Sequence, residues 1–159
     1  MSGASCPCGK GLYKDCCEPL HSGKTRAVHA EQLMRSRYSA FALQQIGYIV
    51  KTTASGQQPY LEVAAIQQWS ETNRWLGLEV INFKEKLTKH HAEVEFRAHY
   101  HDGEQPQLHH EISYFVQQAG QWFFLDPTVD MPVTMKQPCI CGSGKKFKQC
   151  CAPFLATLT

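Results

Sequence analysis

Two copies of one cysteine arrangement hold all eight cysteines of this 159-residue chain. Near the N-terminus lies the first cysteine array, CPCGKGLYKDCC, with Cys6, Cys8, Cys16 and Cys17. Near the C-terminus lies the second cysteine array, CICGSGKKFKQCC, with Cys139, Cys141, Cys150 and Cys151. Each copy is a C-x-C pair followed, after seven or eight residues, by two adjacent cysteines. Four thiols in so short a stretch predict a metal site, because the stretch buries too little apolar surface to fold alone.

Disulfide formation is the alternative to metal binding. The expected cellular compartment and the spacing of the adjacent cysteines both argue against it. The start, MSGASCPCGKG, has no basic segment followed by an apolar run, so we expect no signal peptide and a cytoplasmic protein with reduced thiols. Neighbouring Cα atoms lie only about 3.8 Å apart, whereas bridged cysteines usually have Cα atoms about 4.4–6.8 Å apart. We therefore expect two Zn²⁺ ions, one at each array, each bound by four thiolates.

The residues between the cysteines suit a loop that wraps around an ion. Gly9 and Gly142 give the backbone freedom to turn, and Tyr13 and Phe147 occupy matching places before the adjacent cysteines. The second array also carries three lysines that would offset the charge of four thiolates: Lys145, Lys146 and Lys148. A different interpretation, in which the metal is transient and the thiols act as a redox sensor, remains open at this point.

The composition bounds the class of protein. Hydrophobic residues make up 43% and charged residues 19%, which is typical of a folded globular protein with one core. A formal net charge of +2 is too small to predict nucleic-acid binding by electrostatics. No apolar run approaches the roughly 20 residues that span a bilayer, so no membrane span is expected.

The middle of the chain reads as helices followed by strands. HAEQLMRSRYSAFALQQIGYIVKTT has helical periodicity, and Gly47 predicts a break before a short helix over residues 48–52. A second helix is predicted over residues 60–69. Four segments of period two follow: LGLEVINFKEKLT, HHAEVEFRAHYHD, QLHHEISYFVQQAG and QWFFLDP. This order predicts an α+β fold in which helices cover one face of an antiparallel sheet.

Three segments of the chain separate on these signals. Residues 1–27 hold the first array and a polar connector, residues 28–127 form the α+β domain, and residues 128–159 hold a linker and the second array. The linker, DPTVDMPVTMKQP, is rich in proline and reads as extended chain.

The second array is similar to the SEC-C motif, the small zinc element named for the C-terminus of the bacterial preprotein-translocase motor ATPase. Its pattern, C-x-C-G-S-G-K-K-[FY]-K-x-C followed by His or Cys, is matched from Cys139 to Cys151. The first array retains its four cysteines, Gly9, Tyr13 and Lys14, but it is one residue shorter and lacks the paired lysines. In the translocase the motif contacts an export chaperone and the ribosome, so the resemblance implies a protein or ribosomal partner.

With an array at each end and LMRSRYSAF between them, the whole chain resembles the YchJ-like (UPF0225) family of small bacterial proteins. The resemblance implies an NTF2-like (cystatin-like) domain, a cone of helices packed on a curved antiparallel sheet. It carries no established biochemical activity.

Cones of this kind often enclose a pocket, so polar residues on apolar faces are candidate pocket residues. Three are found: Arg37, His110 and Asp126. His110 is included because it shares a strand face with Leu108 and Ile112. Together the three could bind an anion or small molecule, or carry out acid–base chemistry. In the competing interpretation, Arg37 pairs with a buried carboxylate such as Asp126, and His110 ends a strand.

The remaining histidine and tryptophan signals are weaker. The pairs His90-His91 and His109-His110 could suggest a further metal site, but adjacent side chains point to opposite strand faces, so solvated strand ends are expected. The three tryptophans are expected in the core or in the cone lining: Trp69, Trp75 and Trp122.

These observations favour a non-enzymatic, zinc-stabilised cytoplasmic protein, since no recognised catalytic motif is present. The leading hypothesis is that the second array presents its lysines to a protein or ribosomal partner. The alternatives are a small-molecule or catalytic site in the cone, with the arrays purely structural, and a thiol redox sensor.

Overall fold

A computed structural model describes residues 4–155 of the chain, and it has the predicted α+β architecture. The α-helices are α1 Glu18–His21, α2 Ala30–Ala42, α3 Ile46–Lys51 and α4 Val63–Thr72. The strands are β1 Arg74–Lys84, β2 His91–His101, β3 Pro106–Gln118 and β4 Gln121–Leu125. Short 3₁₀ helices lie at Tyr13–Asp15, Ser55–Tyr60, Phe147–Gln149 and Ala152–Phe154. The strands form one antiparallel sheet in the order β1-β2-β3-β4.

Helix α2 is the central element of the fold. Its apolar residues, among them Leu33, Met34 and Tyr38, are buried, and so are Ser36 and Ser39 on the opposite side. The helix ends at Ala42 because Gln44 takes a left-handed conformation with φ of 59°. The amide of Gln45 then donates to the Ala40 carbonyl at 2.8 Å, which closes a Schellman-type C-cap. The break that the sequence predicted at Gly47 therefore lies at Gln44 instead, and Gly47 is inside α3.

The inner face of the sheet packs against α2. On β2 this face consists of buried residues at alternate positions: Ala92, Val94, Phe96 and Ala98. The register places polar β3 residues opposite three of them: Ser113 opposite Val94, Glu111 opposite Phe96 and His109 opposite Ala98. Leu108 and Ile112 thus lie on the outer face, where they are 54% and 45% exposed. Strand β1 has register shifts after Trp75 and after Val80, which add curvature to the sheet.

The sheet has a hydrophobic cluster on each side. The larger cluster joins the inner face, α2, α3 and the first array, from which Cys6, Cys8 and Cys17 are buried. The smaller cluster lies on the outer face, where the second array covers Val116 and Leu125. The two arrays thus pack on opposite sides of the sheet.

Among residues 4–155, no helix has both the length and the apolar character needed to cross a membrane.

Candidate functional site

The four sulfur atoms of each array come together as a compact cluster. In the first array, the Cys8–Cys16 sulfurs are 3.5 Å apart and the Cys8–Cys17 and Cys16–Cys17 sulfurs are 3.9 Å apart. In the second array, the Cys141 and Cys150 sulfurs are 3.6 Å apart and the Cys150 and Cys151 sulfurs are 3.9 Å apart. A tetrahedron with metal–sulfur bonds of about 2.3 Å has edges of about 3.8 Å. Both clusters therefore have the size of a tetrahedral tetrathiolate site, and each could hold a metal ion.

The two arrays share one local fold despite their difference in length. In each, a glycine with φ near 86° follows the second cysteine, and a 3₁₀ helix, Tyr13–Asp15 or Phe147–Gln149, precedes the adjacent pair. Cys16 and Cys150 have nearly the same dihedral angles, with φ of −118° and −130° and ψ of −93° and −91°. The first array therefore keeps the backbone conformation of the second at these positions, although it is one residue shorter and lacks the paired lysines.

Ionisation of the crowded thiols is uneven. Hydrogen bonding from Cys17 lowers the pKa of Cys8 to about 4, whereas hydrogen bonding to Cys8, together with burial, raises the pKa of Cys17. In the second array, hydrogen bonding to Cys139 and Cys141 raises the pKa of Cys151. One thiol thus ionises easily, and its negative charge opposes ionisation of the neighbouring thiols. A divalent cation removes this opposition because it pairs with all four thiolates, and soft sulfur donors suit a borderline-soft ion.

The first array is attached to α2 by polar contacts. The Ser39 hydroxyl lies 3.4 Å from the Cys6 sulfur. His21 donates from Nε2 to the Ser36 carbonyl at 2.8 Å, and its Nδ1 accepts from the Tyr13 hydroxyl at 2.7 Å. Burial lowers the pKa of His21, so the neutral ring that this bonding pattern needs is also the favoured one.

The second array is attached to the sheet through His91, which the sequence interpretation placed in solvent. His91 is 3% exposed. Its Nδ1 is 2.7 Å from the Thr88 hydroxyl and its Nε2 is 3.4 Å from the Cys151 sulfur. Its ring stacks on Phe154 with centroids 4.5 Å apart. The expectation of a solvated strand end is wrong for His91, because the second array covers this end of the outer face.

A separate cavity of about 550 Å³ lies between α2, α4 and the inner face of the sheet; we call it the inner cavity. Much of its wall is aromatic: Tyr38, Phe41, Trp69, Trp75, Phe96 and Phe115. Its polar lining residues include Arg37, His109, Glu111, Ser113 and Asp126. The expectation that tryptophans line the cone is met by Trp69 and Trp75, while Trp122 is buried in the core.

The structure places two of the three predicted pocket residues at the inner cavity and the third elsewhere. Arg37 and Asp126 line it. His110 lies on the outer face, exposed, with its Nε2 2.7 Å from a carboxylate oxygen of Glu95. The placement of His110 was wrong because the apolar residues beside it, Leu108 and Ile112, mark an exposed face. His109 lines the cavity in its place.

Arg37 and Asp126 do not form the ion pair that the sequence suggested. Arg37 donates from Nη1 to the Ile49 carbonyl at 2.8 Å and to the Thr52 hydroxyl at 2.7 Å. Burial lowers the pKa of Arg37 to about 10, which still leaves the guanidinium charged at neutral pH. The Asp126 carboxylate instead accepts from the amide and hydroxyl of Thr128, at 2.9 and 2.6 Å.

Three residues at alternate positions of β3 form a polar group that the sequence reasoning missed. His109 Nε2 is 2.8 Å from one oxygen of Glu111, and the Ser113 hydroxyl donates to the other. The hydrogen bond with Glu111 raises the pKa of His109. Burial would raise the pKa of Glu111, but the bonds from His109 and Ser113 lower it. The signal was their spacing of two residues, which places them on one face.

The fold and the second array define the class: a SEC-C motif protein with an NTF2-like domain. Residues 29–127 match a family described as "YchJ, middle NTF2-like domain", and residues 135–153 match the SEC-C motif. The chain belongs to the UPF0225 (YchJ-like) family.

Similar proteins support this assignment over nearly the full chain. A UPF0225 protein of Actinobacillus succinogenes is 48% identical over 153 residues, covering 96% of this chain and 99% of its own. One from Haemophilus influenzae is 51% identical over 151 residues, covering 94% and 93%. The crystal structure of a SEC-C motif containing protein from Psychrobacter arcticus is 48% identical, covers 96% of this chain and 98% of its own, and has a TM-score of 0.88. The solution structure of one from Rhodopseudomonas palustris is 37% identical, covers 77% and 96%, and has a TM-score of 0.72.

Proposed function

We propose that both cysteine arrays bind Zn²⁺ and that the two ions are structural. Four thiolates close the coordination sphere of tetrahedral zinc and leave no position for substrate. The sulfur spacings match such a site, and each array packs its cysteines into a hydrophobic cluster of the fold. In this proposal the units at residues 1–27 and 128–159 attach to the domain at 28–127, and the protein is cytoplasmic, where thiols remain reduced.

A redox-sensing role for the thiols is less well supported. Seven of the eight cysteines are buried, and only Cys16 is partly accessible. Sensor cysteines are accessible to oxidants, so the burial favours metal ligands over reactive thiols.

We further propose that the second array binds an acidic surface of a protein partner, in keeping with the translocation- or ribosome-associated contacts of similar motifs. The observation that carries this is an exposed group of lysines that pair with no carboxylate of residues 4–155: Lys145, Lys146 and Lys148. Within residues 4–155 none of the ion pairs uses these lysines, although Lys10 and Lys84 each pair with a glutamate. Because a metal-bound loop fixes the backbone of these lysines, only their side chains lose freedom on binding, which favours recognition.

The test compares two double variants with equal charge change in a pull-down from the cytosol under reducing conditions. Lys145→Ala/Lys146→Ala removes the proposed contact, and Lys86→Ala/Lys89→Ala removes two exposed lysines near the β1–β2 turn. We expect the first variant to lower recovery of acidic partners, ribosomal proteins included, about tenfold, and the second to change it less than twofold. Raised salt should weaken the wild-type interaction. Equal recovery with all three proteins would remove the basic loop from the proposal.

A further inference from the structure

The inner cavity has an apolar wall that no part of the described chain fills. Helix α4 places Ala65, Ile66 and Trp69 along it, and the sheet places Trp75 and Phe96 on the other side. At the rim, Tyr60 is 44% exposed and Trp69 is 42% exposed. Its volume of about 550 Å³ lies within the range of about 300–1,000 Å³ that is typical of small-molecule sites. An aromatic body of two fused rings would cover much of this wall.

The rings at one end form a connected aromatic group. Trp75 contacts Tyr38, Phe41 and Trp69, with centroids 5.8, 5.7 and 5.9 Å apart, and all three pairs are tilted or edge-on. Tyr100 completes the group, 5.2 Å from Trp69. Such pairs fix the rings in place, so the wall is pre-formed for a planar ligand. Its side chains therefore lose little conformational entropy when the ligand binds.

The guanidinium of Arg37 is directed into the same cavity with unused donors. Its hydrogen bonds to other residues in the range 4–155 all use Nη1. Among residues 4–155, no side-chain nitrogen or oxygen that is fully shielded from solvent lacks a hydrogen-bond partner. The Nε and Nη2 atoms of Arg37 must therefore retain access to solvent space. Because Arg37 is only 8% exposed and lines the cavity, that space is the cavity itself.

The nearby carboxylates are already engaged with other groups. Glu111 is held by His109 and Ser113, and Asp126 is held by Thr128. Neither lies within ion-pair distance of Arg37 in the described part of the chain, where the guanidinium instead lies over the Phe124 ring at 4.5 Å. The other acidic lining residues, Glu62 and Asp130, are exposed and therefore screened by solvent. Burial lowers the pKa of Arg37, and the charges of Asp126 and Glu111 raise it through space. Neither carboxylate occupies the free N–H donors of Arg37, which remain open to the oxygens of a ligand.

We propose that the inner cavity binds a small aromatic carboxylate, with its carboxylate on Nε and Nη2 of Arg37 and its ring system against the aromatic wall. Parallel N–H donors of arginine match the two oxygens of a carboxylate. This binding site is independent of the zinc sites and of the lysine loop.

The first experiment uses 2-naphthoate and its uncharged counterpart 2-naphthamide as probes of the full chain. NMR spectra of the indole N–H groups report where each binds. Trp69 and Trp75 line the cavity, whereas Trp122 lies outside it and donates its indole N–H to the Val28 carbonyl. We expect the Trp69 and Trp75 signals to shift, the Trp122 signal to stay, and naphthoate to bind about tenfold more tightly than naphthamide. Equal affinities, or shifts that spare both cavity tryptophans, would overturn the proposal.

Two variants separate the charge from the wall. Arg37→Gln should lower the affinity for naphthoate about tenfold and change the affinity for naphthamide by less than about threefold, since only the charged contact is lost. Trp69→Ala should weaken both probes alike, because the ring surface is shared. If Arg37→Gln does not fold, the test is the ratio of the affinities for naphthoate and naphthamide, measured on the wild type and on Trp69→Ala. A Trp69→Ala variant that binds both probes as tightly as the wild type would contradict the proposed ring contact.

Discussion

At the scale of single residues, His91 links the domain to the second cysteine array. Its two ring nitrogens face different units, Thr88 beside its own strand and Cys151 in the array. A metal-bound Cys151 thiolate can only accept, so in a neutral His91 ring Nε2 would carry the proton and donate it towards sulfur, and Nδ1 would accept from the Thr88 hydroxyl. Groups that orient metal ligands in this way typically contribute about 10- to 100-fold to metal affinity.

We therefore expect His91→Ala to speed loss of one zinc ion per chain to a competing chelator by about tenfold, with the other ion unaffected. His90→Ala is the matched control, since it removes the neighbouring histidine and leaves the contact with Cys151 intact. The measurement is the time course of zinc transfer to a chromophoric chelator. Equal release from the two variants would show that His91 only fills space.

Prediction from sequence worked unevenly at this scale. The eight cysteines could be grouped correctly because their ligand spacing is local. The roles of His91, His109 and His110 could not, because alternation along a strand shows which residues share a face but not what covers that face. Here both faces are partly covered, and the outer face still exposes Leu108 and Ile112.

At the scale of elements, the 3₁₀ helix Ser55–Tyr60 forms the junction with the second array. The amide of Gly56 donates to the Ile140 carbonyl at 2.8 Å. A Cβ added at Gly56 would lie 2.7 Å from that oxygen and 2.8 Å from the Ile140 Cα. The two nearest atoms belong to the backbone of Ile140, so no flexible side chain can move away to relieve the overlap.

Gly56→Ala is therefore expected to destabilise the protein by about 1–3 kcal/mol, because the second array must move off the 3₁₀ helix. Gly47→Ala is the control. It lies in α3, a Cβ there meets nothing within 4 Å, and the change should be neutral or stabilise by up to about 1 kcal/mol. Urea unfolding of both variants measures the difference. A Gly56→Ala protein as stable as Gly47→Ala would show that the junction is loose.

The order of elements was predictable and their ends were less so. Periodicities of 3.6 and 2 predicted helices followed by an antiparallel meander, because buried faces repeat along each element. The end of α2 escaped prediction, since a glutamine at Gln44 adopts the left-handed conformation for which glycine is the usual signal.

At the scale of the whole molecule, the two arrays stabilise opposite sides of one sheet. The first contributes Cys6, Cys8 and Cys17 to the cluster around α2, together with Leu20 of the adjoining helix α1. The second contributes Ile140 and Phe147 to the cluster over Val116 and Leu125, together with Leu155, which follows the array in the chain. Metal binding at each array would thus be coupled to burial of part of the domain surface.

Metal analysis of the reduced protein should find about two zinc ions per chain. Cys150→Ser/Cys151→Ser should retain about one, keep the far-ultraviolet circular dichroism of the domain, and unfold roughly 10 °C lower, since the outer cluster loses its cover. Cys16→Ser/Cys17→Ser is the paired variant for the first array. Absence of zinc from the wild type under reducing conditions would contradict both proposed sites.

The position of the second array has a consequence for biosynthesis. Cys151 contacts a histidine 60 residues earlier in the chain, so the second array leaves the ribosome after the sheet that it covers. Until then, Val116 and Leu125 lie bare on a sheet whose other side is already covered. An interrupted chain would keep that surface open and stay prone to aggregation and proteolysis. Metal capture by the second array would thus cover the outer face only after all four strands of the sheet have been synthesised.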